Sequence, residues 1–531
     1  MSDGVNTRRA EVAATPLATA AQAGEGMSHW IGPVLVALVG AFMAILDSSI
    51  VNVALPTIMN VFGVDTSGVE WVATAYLLAL GVVVPFSGWL GDRFGFKRLY
   101  MLSMAVFVVG SLLCTASWNI NSLIVARVIQ ALGGGMIMPV TMAMVYRMVP
   151  RDRIGSAMGV FGIALLVAPA LGPTLGGYLV EYVDWRWIFT INFPVGIVGI
   201  LLSWFFLPEF TSKHPGRLDV AGAITSATAL FCLLLALSKG SDWGWGAEPT
   251  VLLFFVSLVM LVLFVYLELT AEKPLLDLRV FKYSAFTMAN LVIVVTTIGM
   301  YAGLFYLPLF LQNIRGLGAM QTGLLLMPGA LVSGMMMPVV GKLYDKIGPR
   351  PLVVTGVLLL AFTTFLFHNL SVVTATSTVV FWVMIRGVVM PLANMPAQTS
   401  SLAEIPDEMI GRASAMTNII GRVASSLGIA VLTSILSTRQ ALYGAAYGWS
   451  LNNANSALPT TVAQLGARMG GGAKGNSFAL AFLAGRLGQQ SYVSAIDDVF
   501  VITAAFTLLA LIPSFFLKRA RGGRMGPAAG E

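Results

Sequence analysis

The sequence predicts an all-α membrane protein with fourteen transmembrane helices. Apolar runs of about 20 residues, the length that crosses a bilayer as a helix, recur along the chain. Only 10% of the 531 residues are charged, and the mean hydropathy is +0.84. A soluble domain carries about 25% charged residues, so this composition excludes a soluble enzyme. The runs do not alternate polar with apolar residues, which excludes the strands of a transmembrane barrel.

The fourteen runs form a 6 + 2 + 6 arrangement. They lie near 31–59, 69–90, 99–118, 121–146, 154–180 and 187–207, then 219–238 and 250–269, then 284–311, 320–341, 351–368, 376–402, 409–437 and 493–517. An internal repeat supports this division, because GWLGDRFGFKR (88–98) and GKLYDKIGPR (341–350) each follow the second helix of a six-helix set. Parallel repeats of this kind build two-bundle transporters with a central site near the membrane midplane.

Domain boundaries follow from the same pattern. We expect a disordered tail at 1–28, an N-terminal bundle at 29–210 and two inserted helices at 211–280. A C-terminal bundle follows at 281–517, with an outer segment at 438–492, and a basic tail at 518–531 ends the sequence. The first tail leads into a full-length span and lacks the short apolar region of a signal peptide. The outer segment is rich in Gly, Ala, Asn and Gln, so we expect only short helices there, near 462–470 and 478–490.

The distribution of Lys and Arg predicts that both termini are cytoplasmic. About three times as many basic residues lie on the connections that share the N-terminal side as on the opposite side. The net charge of +7 is therefore spread over loops, and no basic face for nucleic acid is expected. The chain has no GxxxxGK[ST] motif and only three histidines, which excludes a phosphate-binding loop and an HExxH metal site. We expect no cofactor, and an ion gradient as the source of energy.

Two charged residues inside spans are the strongest functional candidates. Asp47 lies in AFMAILDSSIVNVALP, where a carboxylate costs about 2.5–3.5 kcal/mol on insertion scales. We predict that it carries a proton across the membrane; the alternative is a structural Asp satisfied by neighbouring polar side chains. Arg127 must pair or bond to backbone, and we predict that it holds a carboxylate ionised; the alternative is an Arg that snorkels outward. For Arg386 and Arg422, structural and functional roles stay equally open.

The turn at 88–98 is predicted to be a gate at the cytoplasmic mouth. Its glycines permit a tight turn, and Asp92 is placed to pair with a basic residue across the mouth in one state only. The predicted gate residues are Gly88, Gly91, Asp92, Arg93, Gly95, Lys97 and Arg98. The alternative is a loop whose charge only sets topology. In the second copy, Lys342 and Pro349 depart from the pattern, so we expect the first copy alone to act as a gate.

Two further sets of residues lie within spans. The fifth span carries prolines and glycines that predict a kinked helix packed closely on a neighbour: Pro169, Gly172, Pro173, Gly176 and Gly177. The second set is predicted to contact the transported compound, through flexible thioethers that suit apolar ligands of varied shape and through amides within spans. Its members are Asn52, Gln130, Met136, Met138 and Asn192. The alternative for the methionines is ordinary packing against lipid or core.

Several of these segments also carry a family resemblance. The turn at 88–98 is similar to the loop signature of the major facilitator superfamily. LDSSIVNVALPTI (46–58), APALGPTLGG (168–177) and WRWIFTINFPVG (185–196) together resemble its fourteen-helix drug:proton antiporters of the EmrB/QacA type. The likeness covers about 30–517, and the long outer segment followed by SAIDDVF (494–500) is closer to EmrB. The resemblance implies the major facilitator fold and a link of Arg127 and Gln130 to proton coupling. It also implies that 164–179 is the antiporter signature.

Together these observations predict a multidrug efflux transporter of the inner (plasma) membrane that exchanges protons for hydrophobic or amphipathic compounds by alternating access. Expected partners are those small molecules, protons and membrane lipid, and the resemblance adds a periplasmic adaptor as a candidate. One alternative is a lipid or fatty-acid exporter, which requires a lateral opening and basic residues near its cavity. Another is a membrane scaffold or sensor that moves no solute.

Overall fold

The computed structural model describes residues 30–210, 219–271, 274–371, 373–450 and 457–517. Within these ranges the chain is helical and contains no strand, which confirms the predicted all-α class. The predicted tails at 1–28 and 518–531 lie outside the described residues. The domain boundaries and the orientation of the termini stay predictions.

The longer helices of the described ranges are numbered here in chain order. Those before the inserted pair are α1 (Ile31–Phe62), α2 (Thr66–Val83), α3 (Phe86–Phe94), α4 (Phe96–Thr115), α5 (Ile120–Met148), α6 (Ile154–Tyr182) and α7 (Asn192–Phe206). The inserted pair is α8 (Val220–Trp243) and α9 (Glu248–Thr270). The rest are α10 (Ser284–Tyr301), α11 (Leu307–Asn313), α12 (Ala319–Ile347), α13 (Pro349–Leu366), α14 (Thr376–Ala403), α15 (Ile410–Ser450), α16 (Ala457–Arg468) and α17 (Gly472–Thr507). A π-helical turn, Ala302–Tyr306, joins α10 to α11.

The predicted number of spans is confirmed. Thirteen helical segments of the described chain are long and apolar enough to cross a membrane, and α2 with α3 adds a fourteenth as one bent span. The bend between those two helices is 55°. Pro85 lies at the break, where its missing N–H interrupts the hydrogen-bond ladder of the helix.

Close packing of α6 against α12 joins the two bundles. A Cβ added at Gly159 would lie 2.6 Å from the carbonyl oxygen of Met337, and one added at Gly155 would lie 2.6 Å from that of Gly341. Only small residues let two backbones approach this closely. The glycines of α6 therefore form part of the seam between the bundles. The end of this seam that carries the turns 88–98 and 341–350 is called the basic end below.

The outer segment differs from the sequence expectation. The first expected short helix corresponds to α16, but α15 continues without a break to Ser450, and α17 begins at Gly472 and runs through the second expected helix into the last span. At 1.5 Å per residue, the 41 residues of α15 span about 60 Å, roughly twice the hydrocarbon thickness. Neither 438–450 nor 472–492 contains a proline, so nothing in the sequence stops the helices at the membrane surface. The projecting parts of α15 and α17, with α16 between them, are called the outer hairpin.

Candidate functional site

Asp47 and Arg127 form an ion pair inside the N-terminal bundle. Asp47 lies near the middle of α1, and Arg127 lies two turns into α5. The Nη1 of Arg127 donates to the Oδ2 of Asp47 at 2.6 Å, and both side chains are no more than 1% exposed. The guanidinium is therefore enclosed between helices and does not reach outward to the membrane surface.

Three polar side chains complete this pair to form the Asp47 cluster. Gln130 donates to Asp47 Oδ1 at 2.9 Å and to the Ser111 hydroxyl at 2.7 Å. Asn192 donates to the same Oδ1 at 2.6 Å. The side-chain amide oxygen (Oε1) of Gln130 accepts a hydrogen bond from Arg127, which lies one turn away on the same face of α5. Side chains from α1, α4, α5 and α7 thus meet around one carboxylate.

Aromatic rings cover the guanidinium of Arg127. Its central carbon lies 3.7 Å from the ring centroid of Tyr76 and 5.7 Å from that of Phe189. Its Nε donates to the carbonyl oxygen of Val72 at 3.4 Å. Cation–π contacts strengthen when the cation is shielded from water, so these contacts help to hold the charge inside the bundle.

The Pro/Gly segment of α6 packs against α1 beside Asp47. Ser49 donates to the carbonyl oxygen of Pro169 at 2.9 Å. That oxygen lacks its usual helical partner, because the residue four positions later is Pro173, which has no N–H. A Cβ at Gly172 would overlap the Ser49 side chain, and one at Gly176 would lie 3.2 Å from the Ile50 carbonyl oxygen. Gly177, the remaining glycine of the set, has open space beside it, because a Cβ added there would have only the Met320 side chain nearby, at 4.0 Å.

The contacts of the Asp47 cluster depend on the charge of Asp47. As a carboxylate it accepts hydrogen bonds from Arg127, Gln130 and Asn192. A proton on Asp47 removes the negative charge that Arg127 balances, and occupies an oxygen that otherwise accepts. A buried Arg without its counter-ion is strongly unfavourable, so proton binding must alter the packing around Arg127.

At the basic end, the predicted gate residues separate into two groups. Asp92 lies 3.6 Å from Arg147 of its own bundle and 3.8 Å from Arg412 at the start of α15. A Cβ on Gly88 would lie 3.1 Å from the backbone of that same Arg412. A Cβ on Gly91 would instead meet the ring of Phe96. Asp92 and Gly88 therefore contact the opposite bundle, as a gate requires.

The rest of the predicted gate set contacts its own bundle or solvent. Gly95 has a φ of +92° and lies against the carboxylate of Glu209. Lys97 Nζ donates to the carbonyl oxygen of Trp204 at 2.6 Å, and Arg98 lies 3.7 Å from Glu209. Arg93, also in this set, is exposed. Gly95, Lys97 and Arg98 therefore hold the turn against the end of α7 and the residues that follow it.

The second copy of the turn bridges the bundles more closely than the first. Asp345 accepts hydrogen bonds from the backbone N–H of Gly155 at 2.9 Å, the N–H of Ser156 at 3.0 Å and the Ser156 hydroxyl at 2.7 Å. Those N–H groups open α6, where the helix dipole favours a carboxylate. The departures at Lys342 and Pro349 leave this contact of Asp345 intact, because the carboxylate needs only a helix N-terminus. The expectation that the first copy alone acts as a gate stays a prediction.

The predicted substrate contacts do not lie together. Gln130 and Asn192 belong to the Asp47 cluster, and Asn52 is exposed on α1. Met136 and Met138 are half-buried against an apolar cluster to which both bundles contribute. The sequence analysis missed Ser111 and Tyr76, because a lone hydroxyl in an apolar span gives no signal of the face it occupies.

Arg386, at the position in the second repeat that corresponds to Arg127, has different partners. Its guanidinium donates to the Thr364 hydroxyl at 2.8 Å and to the carbonyl oxygens of Gly299 and Met300 at 3.0 and 3.1 Å. No ion pair to it occurs among the described residues, so the Asp47–Arg127 ion pair of the first bundle has no counterpart there in the second.

Comparisons with known proteins agree with this architecture. The profile of the Major Facilitator Superfamily matches residues 37–429. The chain is 32% identical over 490 residues to the multidrug resistance protein B homolog of Mycobacterium tuberculosis, covering 91% of this chain and 89% of that protein. It is 32% identical over 406 residues to the lincomycin resistance protein LmrB of Listeria monocytogenes, covering 76% and 86%. The solved human organic anion transporter MFSD10 is similar in fold, with a TM-score of 0.59 at 14% identity over 90% of this chain and 99% of that one.

Proposed function

Because this chain belongs to the major facilitator superfamily, we propose that it exports hydrophobic or amphipathic drugs across the plasma membrane in exchange for protons. Family membership and the thirteen or more spans of the described chain make it a multi-pass membrane transporter rather than an enzyme. Its relatives include proteins named for multidrug and lincomycin resistance, which supports drug efflux. Both termini are proposed to be cytoplasmic.

The Asp47–Arg127 pair is the observation that carries the proposal of proton coupling. A carboxylate buried in a membrane bundle is costly, and it persists where it has a function. Here the proton and the guanidinium compete for the same carboxylate, because Arg127 already donates to Asp47 Oδ2. Protonation from one side and release to the other would therefore alternate the packing of α1 against α5.

Contacts between the bundles at the basic end support alternating access. Tyr146 donates to the carbonyl oxygen of Thr399, and Ser414 donates to that of Pro139 at 2.9 Å. With the contacts of Asp92 and Asp345, these bonds hold the basic ends of the bundles together. Opening that end requires breaking them as a set, which gives two discrete states.

Asp47→Asn tests the coupling. Asn keeps the size and part of the hydrogen bonding of Asp but carries no titratable proton. In proteoliposomes, we expect wild-type protein to move a dye against its gradient when a pH gradient is imposed, and Asp47→Asn to lose that pumping. Binding of an uncharged dye to the variant in detergent should change less than about threefold.

Asp152→Asn is the matched control, because it makes the same substitution at an exposed loop carboxylate. We expect it to pump like wild type. Gradient-driven pumping by Asp47→Asn at the wild-type rate would exclude Asp47 as the coupling site. The next acidic residue within a span to be tested as the coupling site would then be Glu70, which is paired with Lys239.

A further inference from the structure

The central part of the membrane domain carries more positive than negative charge. Arg127 is balanced by Asp47. Arg386 and Arg422 also lie deep within spans, and neither has a carboxylate partner among the described residues. An unbalanced cation inside a membrane protein is costly, and such residues mark ligand or ion pathways.

Arg386 satisfies a local structural need. The carbonyl oxygens that it binds, those of Gly299 and Met300, immediately precede the π-helical turn Ala302–Tyr306. A π-helical turn changes the hydrogen-bond pattern from i+4 to i+5 and so leaves carbonyl groups without their usual partners. Arg386 supplies the missing contacts to these two carbonyl groups. Together with its hydrogen bond to the Thr364 hydroxyl, they account for most of the donors of this guanidinium.

Arg422 has no comparable partners. In the described chain, no side chain or carbonyl group accepts a hydrogen bond from its guanidinium, and its Nε is buried without a partner. Its helix, α15, packs against α3 and α5 of the first bundle and against α10 of the second. Tyr76 of the first bundle and Tyr301 of the second lie close enough to act on its charge. Arg422 thus lies between the two bundles, about 18 Å along α15 from Ile410.

We propose that Arg422 binds the negatively charged group of the exported compound, so that this transporter selects anionic amphiphiles. The inference rests on the proposed export function. A guanidinium offers five N–H donors in a planar fork that fits a carboxylate or sulfonate with two parallel bonds. Asp47, the carboxylate buried in the N-terminal bundle, is already paired with Arg127 and is not free to balance a cationic drug.

Apolar side chains flank Arg422 along α15. Ile419 belongs to an apolar cluster to which both bundles contribute, and Ile420 and Val423 pack against it. The half-buried Met136 and Met138 pack against the same cluster, and flexible thioethers accommodate apolar bodies of different shape. We therefore expect one fixed charge beside apolar side chains to select ligands by charge more than by shape.

The test uses two membrane probes with the same apolar body: diphenylhexatriene carrying a propionate group, and diphenylhexatriene carrying a trimethylammonium group. Affinity for the full-length protein in detergent is measured by fluorescence anisotropy, with no gradient present. We expect the propionate probe to bind wild type at least about tenfold more tightly. Equal affinities, or tighter binding of the trimethylammonium probe, would overturn the proposal.

Two substitutions at Arg422 separate charge from structure. Arg422→Gln should abolish the preference, lowering affinity for the propionate probe about tenfold and leaving unsubstituted diphenylhexatriene within about twofold. Arg422→Lys retains the charge and should keep most of the preference. Arg439→Gln, on the same helix but paired with Asp498 and partly exposed, is the control and should bind all three probes like wild type.

Equal weakening of all three probes in Arg422→Gln, with Arg422→Lys equally weak, would show a packing role and contradict the proposal. Binding is measured without a gradient, so the two proposals can fail separately. Failure of proton-driven pumping would contradict only the proposed function. Lack of a charge preference in the binding assay would contradict only the role of Arg422.

Discussion

At the level of single residues, the Asp47 cluster shows how a buried charge is made tolerable. The two oxygens of Asp47 accept from three side chains on two other helices, and one of those donors is a cation. Removing one partner of a buried ion pair typically costs 3–5 kcal/mol, because the other charge is left uncompensated. In the proposed mechanism, a proton that neutralises Asp47 would remove this partner reversibly, and the cluster would then act as a switch.

Gly172→Ala tests the packing that supports this switch. The added Cβ would overlap the side chain of Ser49, which neighbours Asp47 on α1. Overpacking of this kind typically costs 1–3 kcal/mol, so we expect a lower melting temperature in detergent and slower export. Adding Ser49→Ala removes the overlapping hydroxyl and should restore part of both.

The control for that pair is Gly177→Ala, whose Cβ would have only Met320 nearby, at 4.0 Å. We expect it to match wild type in melting temperature. If Gly172→Ala is as stable as Gly177→Ala, or if Ser49→Ala adds its full cost to that of Gly172→Ala, the two residues are not in tight contact in the working protein.

Sequence reasoning reached the charged members of the site more easily than the neutral ones. Asp47 and Arg127 stand out because a charge in an apolar run is rare. Ser111 and Tyr76 gave no such signal, since hydroxyl groups are common in membrane helices and their role depends on the helix that faces them. The lack of a partner for Arg422 was equally hidden, because it depends on which side chains of both bundles surround α15.

At the level of helices, each bundle inserts a carboxylate at the start of a helix in the other bundle. Asp345 accepts three hydrogen bonds of 2.7–3.0 Å from the first residues of α6, whereas Asp92 lies 3.8 Å from Arg412 at the start of α15. Charge-assisted bonds at hydrogen-bonding distance are stronger than looser ion pairs. The contact of the second turn should therefore contribute more to keeping the basic end closed.

We expect Asp345→Asn to open the basic end more than Asp92→Asn does. Spin labels on the exposed residues Arg93 and Lys346 report the separation of the two turns by double electron–electron resonance. The fraction of long distances should rise in both variants, and by more for Asp345→Asn. A larger effect of Asp92→Asn would support the sequence-based expectation that the first turn alone is the gate.

The outer hairpin is expected to be dispensable for folding. Its base is fixed by the bond from Tyr443 to Asp498, at 2.9 Å, and by the bond between Tyr447 and Ser494, also at 2.9 Å. Replacing 449–486 with a short Gly/Ser linker keeps both contacts, so the melting temperature should fall by no more than a few degrees. A collapse of stability would show that the hairpin belongs to the folding core.

The same deletion tests the proposed adaptor partner. If an adaptor protein docks on the hairpin, export in proteoliposomes should persist while drug resistance in cells that contain the adaptor falls. Unchanged resistance in such cells would remove the hairpin as the docking element.

Helix spans were predictable because lipid offers no hydrogen-bond partners, so each crossing must be a long apolar helix. The break at Pro85 and the continuation of α15 to Ser450 were harder to predict from the sequence. Hydropathy reports where a helix leaves the membrane, but it does not report whether the helix ends there. The close contact of Asp345 likewise depends on the register between α6 and α12, which no single segment encodes.

At the level of the whole molecule, the charge of the substrate determines how the membrane potential acts on transport. One-for-one exchange of a cationic drug for a proton moves no net charge. Exchange of an anion, as the unpaired Arg422 indicates, moves two charges in the same direction, because a negative charge leaves as a positive charge enters. A potential of 100 mV contributes about 2.3 kcal/mol per charge, so the interior-negative potential of a cell would drive this exchange strongly.

The potential can be tested with the pH gradient held at zero. In proteoliposomes containing wild-type protein, a potassium gradient with valinomycin sets the voltage, and movement of the propionate probe is followed by fluorescence. We expect a potential that is negative on the side from which the probe leaves to accelerate its movement, and the opposite potential to slow it. Asp47→Asn should show a weaker response, because the proton no longer crosses and only the charge of the anion still moves in the field. If wild-type protein exports the propionate probe at a rate that does not depend on voltage, this transporter does not exchange an anion for a proton in opposite directions.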